Sequence, residues 1–123
     1  MGRVLVPGRG LCGVPVSGPP VGTGALQRAS VSRAYYAAYI LARNHLRDAD
    51  GVRVPHGYNP HQFVATQYAN DPDPRRKQIG DAMARLRTAR NRCDYDDVVV
   101  NLPGLTTLAL ARAARIIAAL AQL

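Results

Sequence analysis

Eight consecutive residues, Arg90-Asn91-Arg92-Cys93-Asp94-Tyr95-Asp96-Asp97, bring guanidiniums, an amide, a thiol, a phenol and three carboxylates together. Guanidiniums grip phosphate or carboxylate through paired N–H groups, and carboxylates and phenols can move protons. The run therefore holds the groups for phosphate binding or acid–base work. The same groups can form a self-satisfied set of ion pairs, and spacing alone does not separate the two. Arg90 is the residue to watch. At about 100° per residue on a helix, it projects close to the line of Ile79, Met83 and Leu86, while Asp81, Arg85 and Arg92 project to the opposite side. A buried guanidinium is costly unless paired and hydrogen-bonded. Arg90 is therefore expected to face the core or an interface, with Asp94, Asp96, Asp97 or a bound phosphate as partner.

The elements that must position this run are helices. Val31, Tyr35, Ala38, Tyr39, Ala42 and Leu46 recur at three- and four-residue spacing, which predicts one amphipathic helix over 25–48, broken by Gly51, Pro55 and Gly57. Asn59-Pro60 and Asp73-Pro74 are capping side chains followed by Pro at the first helical position. They predict a short helix carrying Phe63, Val64 and Tyr68, and a third over 74–93 whose apolar stripe is Ile79, Ala82, Met83, Leu86 and Cys93. A last helix begins near Pro103 and spreads Leu105, Leu108, Leu110, Ile116, Ile117 and Leu120 over more than one face, as a central or subunit-shared helix does. Val98-Val99-Val100 is too short to build a sheet. The fold expected is all-α, with four helices over residues 25–123. Residues 1–24 hold seven Gly and four Pro and read as a loose arm. Within them Gly8-Arg9-Gly10-Leu11-Cys12-Gly13 imitates a dinucleotide fingerprint, but Pro15, Pro19 and Pro20 forbid the helix that must open there.

Composition narrows the function classes. A chain of 123 residues fits one domain and excludes a full dinucleotide-binding unit with a partner domain. The net charge of +8 favours phosphate-bearing or acidic partners. Fifteen of the sixteen basic residues are Arg and all eight acids are Asp, a usage that a G+C-rich coding sequence produces equally well. The third helix concentrates the charge, with Arg75, Arg76, Lys77, Arg85, Arg87, Arg90 and Arg92 against Asp81. Cys12 and Cys93 lack companions at metal-ligand spacing, so neither zinc nor any other cofactor is expected, and a reducing compartment fits. The apolar stretch from Leu105 to Leu123 is interrupted by Arg112 and Arg115 and reads as a buried helix, not a membrane span. No signal-like apolar run opens the chain, so the cytoplasm is expected.

The stretch Ser32-Arg33-Ala34-Tyr35-Tyr36-Ala37-Ala38-Tyr39, followed about fifty residues on by Arg90-Asn91-Arg92-Cys93-Asp94-Tyr95-Asp96, resembles the HEPN family of small prokaryotic helical domains. The likeness covers residues 25–123. It implies an up-and-down helical bundle that dimerises through the face carrying the later motif. It also implies one of two trades: a metal-independent ribonuclease, often the toxin of a toxin–antitoxin pair, or a non-cleaving partner of a minimal nucleotidyltransferase. In a cleaving version Arg90, Asp94 and Tyr95 are the catalytic candidates, with Asn91, Arg28, Arg33 and Arg87 as RNA or phosphate contacts.

Two departures weigh on that choice. Family ribonucleases carry R-x(4–6)-H, and the positions where the His should stand hold Tyr95, Asp96 and Asp97. A phenol with a pKa near 10 is ionised to only about one part in a thousand at pH 7, and an ordinary Asp is a weak base. The family's usual helix before the R-A-Y-Y-A block is replaced here by the Gly/Pro-rich stretch, which leaves apolar surface for a second copy or a partner protein. Of the other candidates, His45 near the end of the first helix is conceivable as a displaced catalytic imidazole, whereas His56 and His61 look like surface or capping groups. Tyr35, Tyr36 and Tyr39 read chiefly as core, with base stacking as the alternative. Arg28 and Arg33 can reach either a phosphate or the Asp94–Asp97 cluster. The leading expectation is a cytoplasmic, homodimeric binding or regulatory module paired with an antitoxin or nucleotidyltransferase protein. The alternative is an RNA-cleaving enzyme.

Overall fold

Capping side chains and one left-handed glycine set the ends of the helices. The computed structural model describes residues 23–123, and every regular element among them is a helix. Helix α1 spans Thr23–Ala49 and stops at Gly51, whose φ of 67° is a conformation glycine adopts without strain; beyond it the Val52 N–H donates to the Leu46 carbonyl at 2.9 Å. Asn59 starts α2, Pro60–Ala69, by accepting from the N–H groups of His61 and Gln62. Asp73 starts α3, Pro74–Tyr95, by accepting from the Arg75 N–H at 2.9 Å. Asn101 starts α4, Leu102–Ala121, from a φ of 53°, a region asparagine tolerates better than most residues.

Cross-helix contacts fix the directions. Tyr35 meets His61 and Tyr68 meets Ala42, both 26 residues apart, so α2 advances in the same sense as α1. The ten residues 50–59 carry the chain back along α1 to make this possible. Helix α3 then runs opposite to both, with Arg76 on Asp50 at one end and Arg28 on Cys93 at the other. Leu102 lies beside Gly24, so α4 starts where α1 starts. Direction thus reverses at α2–α3 and α3–α4, while α1–α2 is joined by a return loop. Helix α1 packs chiefly on α4 and α3, and α2 on α3.

The α1 core stripe is the one read from spacing: Val31, Tyr35, Ala38, Tyr39, Ala42 and Leu46 are all buried. On α3 the buried set is Ile79, Gly80, Met83, Leu86, Ala89, Arg90 and Cys93. Gly80 is required by a close approach: a Cβ there would stand 2.7 Å from the Ala69 Cα and 2.8 Å from the Ala65 oxygen. Arg76 clamps the top of the bundle, reaching Asp50 and Asp71 while covering the Tyr68 ring at 5.2 Å.

Helix α4 behaves differently from a central helix. It buries one stripe of mostly small residues, Thr106, Ala109, Ala113, Ile116 and Leu120, and leaves Leu108, Leu110 and Ile117 exposed. By length and composition alone it is apolar enough to cross a membrane; in the bundle its buried stripe packs on α1 and α3. The proposed arm at 1–24, with Cys12 and the fingerprint-like glycines, lies outside the described residues except for Thr23 and Gly24, which form the first turn of α1.

Candidate functional site

Helix α3 runs antiparallel to α1, which sets the Arg90 guanidinium against two tyrosines of the first motif. Its central carbon lies 5.2 Å from the Tyr35 ring centre and 5.3 Å from that of Tyr36. Arg90 is 7% exposed. Its Nη1 donates to Asp94 Oδ2 at 3.1 Å, one turn along the helix, while its buried Nε has no hydrogen-bond partner among the described residues. The inward orientation expected from the helical wheel is observed, and Asp94 is the acid that answers it. Asp96 lies 3.9 Å from Arg92 instead.

The remaining predicted residues separate into two groups. Tyr95 does not join the Arg90–Asp94 pair; it is 75% exposed and makes no hydrogen bond among the described residues. Arg28 turns to the Asp94–Asp97 segment but meets its backbone. It donates to the carbonyls of Cys93 at 2.8 Å, Asp96 at 2.6 Å and Asp97 at 3.2 Å, satisfying acceptors at the open end of α3. Arg33 points to solvent without an acidic partner among the described residues. Arg87 and Asn91 lie together, half-buried, on the wall of a groove of about 450 Å³ between α2 and α3. The Arg87 Nε is buried and has no hydrogen-bond partner among the described residues.

The imidazole beside this cluster is His61, whose place at the start of α2 reads from the sequence as a surface or capping one. Its Nδ1 lies 2.8 Å from the Tyr35 hydroxyl, and its ring centre is 4.3 Å from Tyr39, 5.5 Å from Tyr35 and 5.7 Å from Tyr36. His61 and Arg90 therefore share two tyrosine rings. Burial and then the positive charges of Arg90 and Arg87 lower the His61 pKa, which keeps the imidazole neutral at pH 7. Burial pushes the Tyr35 phenol up to about 12 against the opposing pull of Arg87 and Arg90, so that hydroxyl stays protonated. His45 is about 15 Å farther along α1 than Tyr35 and makes no hydrogen bond or ring contact with the cluster among the described residues. The local signal for His61 was present in the Asn59-Pro60 start. Its meeting with Tyr35 depends on how far the 50–59 loop doubles back, which no local pattern encodes.

Two guanidiniums, a neutral imidazole and a half-exposed Tyr36 ring make a cationic, aromatic cluster in which the unpartnered Nε groups of Arg87 and Arg90 are buried beneath protein atoms. Among the described residues no three His, Cys, Asp or Glu side chains gather as a metal site would require. Compared with protein-family models, curated proteins and solved structures, the chain matches none.

Proposed function

We propose that this chain is a HEPN-like binding or regulatory module that acts beside a second protein of a toxin–antitoxin or nucleotidyltransferase-associated pair and does not itself cleave RNA. The observation that carries the reading is the engagement of Arg90 inside the fold, stacked on two tyrosines and paired with Asp94 while Tyr95 faces water. A guanidinium held this way fastens α3 to α1. The motif then serves architecture, and the working surface lies outside it. Leu26, Ile40 and Leu41 on α1, with Leu108, Leu110 and Ile117 on α4, leave apolar side chains exposed for a second copy or a partner protein. The same reading places the module in the cytoplasm, with neither cofactor nor membrane.

One observation favours metal-independent RNA cleavage as a second reading: His61 brings an imidazole to the rings that hold Arg90. One assay separates the two. Purified protein is incubated with single-stranded RNA in EDTA, alongside Arg90→Ala, His61→Ala and Tyr95→Phe variants. The module reading expects intact RNA in every lane. Cleavage lost in the Arg90 and His61 variants but kept by Tyr95→Phe overturns it in favour of the enzyme.

A further inference from the structure

We propose that the groove between α2 and α3 binds a phosphorylated sugar, its phosphate on Arg87 and its hydroxyls on Asp81 and the groove amides. The groove is lined by Gln62, Thr66 and three alanines, with Gly80, Asp81, Arg87, Thr88 and Asn91 completing it. Its about 450 Å³ falls in the range of small organic ligands, more than a bare inorganic anion needs. Because α2 and α3 are antiparallel, Gln62 faces the Arg87–Asn91 end, and Ala69 faces Gly80.

The two ends differ in chemistry. At one, Arg87 has no carboxylate partner among the described residues, and its buried Nε lacks an acceptor. That Nε lies beneath protein atoms and out of a ligand's reach, but Arg87 lines the groove, and the terminal nitrogens of a guanidinium without a carboxylate partner take phosphate oxygens in a charge-assisted fork. At the other end stands Asp81, exposed and without an ion pair among the described residues. It repels a second anion and accepts from hydroxyls. Arg87 and Asp81 are six residues apart on α3, about 9 Å of helix rise. A five-carbon sugar phosphate covers that distance with a hydrogen bond at each end. Gln62 and Asn91 offer both donors and acceptors between them. The Thr88 hydroxyl already donates to the Ala84 carbonyl at 3.1 Å, which leaves its oxygen to accept. The alanines keep the groove free of large side chains, and at Gly80 the close backbone of α2 closes it.

The test is binding of ribose 5-phosphate to the full chain, followed by backbone amide NMR and calorimetry, with ribose and inorganic phosphate as half-ligands. The expected result is saturable binding with shifts at residues 62–69 and 80–91, and weaker binding of either half alone. Arg87→Ala should weaken it about tenfold or more, the loss of one charge-assisted contact. Gln62→Ala, an exposed change that spares the core, should weaken it a few-fold, and Arg85→Ala, outside the groove, should leave it unchanged. AMP is the second arm: affinity more than about tenfold above ribose 5-phosphate assigns the sugar phosphate to a nucleotide, and equal affinity assigns it to a free sugar phosphate. No shift with any of these probes at about 10 mM overturns the proposal. So does unchanged affinity in a folded Arg87→Ala variant.

Discussion

Replacing Arg90 by Ala tests whether the motif arginine is a fastening. Truncation removes the stacking on Tyr36, worth about 0.5–1 kcal/mol at a half-exposed ring, and on buried Tyr35, worth up to about 2 kcal/mol. It also removes a partly exposed ion pair of about 1 kcal/mol and buried methylenes of about 0.8 kcal/mol each. Against these losses, a buried Nε without an acceptor disappears, relieving about 1–3 kcal/mol. The net expectation is about 2–3 kcal/mol of destabilisation, or a fall in Tm of about 10–20 °C for a domain of this size. Arg90→Met keeps the volume and loses the orphan, so it should lie within about 1 kcal/mol of the parent chain. Urea denaturation followed by helical circular dichroism at pH 7 measures both. An Arg90→Ala chain within about 0.5 kcal/mol of the parent refutes the reasoning, because the guanidinium would then hold nothing.

His61 gives the fold a pH dependence whose sign follows from its lowered pKa. The unfolded chain takes up the proton first, near the ordinary histidine value of about 6.5, so stability falls as the pH drops from there toward the lower folded value. Melting curves at pH 7.5 and 5.5 should show a drop in the parent chain that His61→Gln makes smaller; an equal drop in both removes His61 as its source. At the helix crossing, Gly80→Ala forces a methyl against Ala69 and Ala65, and should cost about 1–3 kcal/mol or push α2 outward. Denaturation checks the first outcome and amide exchange along α2 the second; an unperturbed, equally stable variant sinks the close-approach argument.

What could be read from the chain beforehand was local. The α1 stripe, the Asn59 and Asp73 caps and the inward swing of Arg90 each follow from helical period or cap chemistry within a few residues. The tertiary meetings followed no such rule. Arg28 lies 65 to 69 residues from the carbonyls it holds, and His61 lies 26 residues from Tyr35 across a returning loop. Nothing in the residues around Gly80 announces that the backbone of α2 lies against it. On α4 the sequence spreads large apolar residues widely, but the interior takes Thr106, Ala109 and Ala113 with only Ile116 and Leu120 among the large ones, because α1 and α3 approach on that side.

The tether from Arg28 to the end of α3 bears on how the chain is made. The first turn of α1 contains no acidic residue to steady it, and Arg28 in the next turn finds its acceptors among the described residues at Cys93, Asp96 and Asp97. Synthesis proceeds from the amino end, so Arg28 must wait for the 65 to 69 residues that follow it before its partners exist. The start of α1 is thus secured only once α3 has followed it out, an order imposed by topology whatever the speed of elongation.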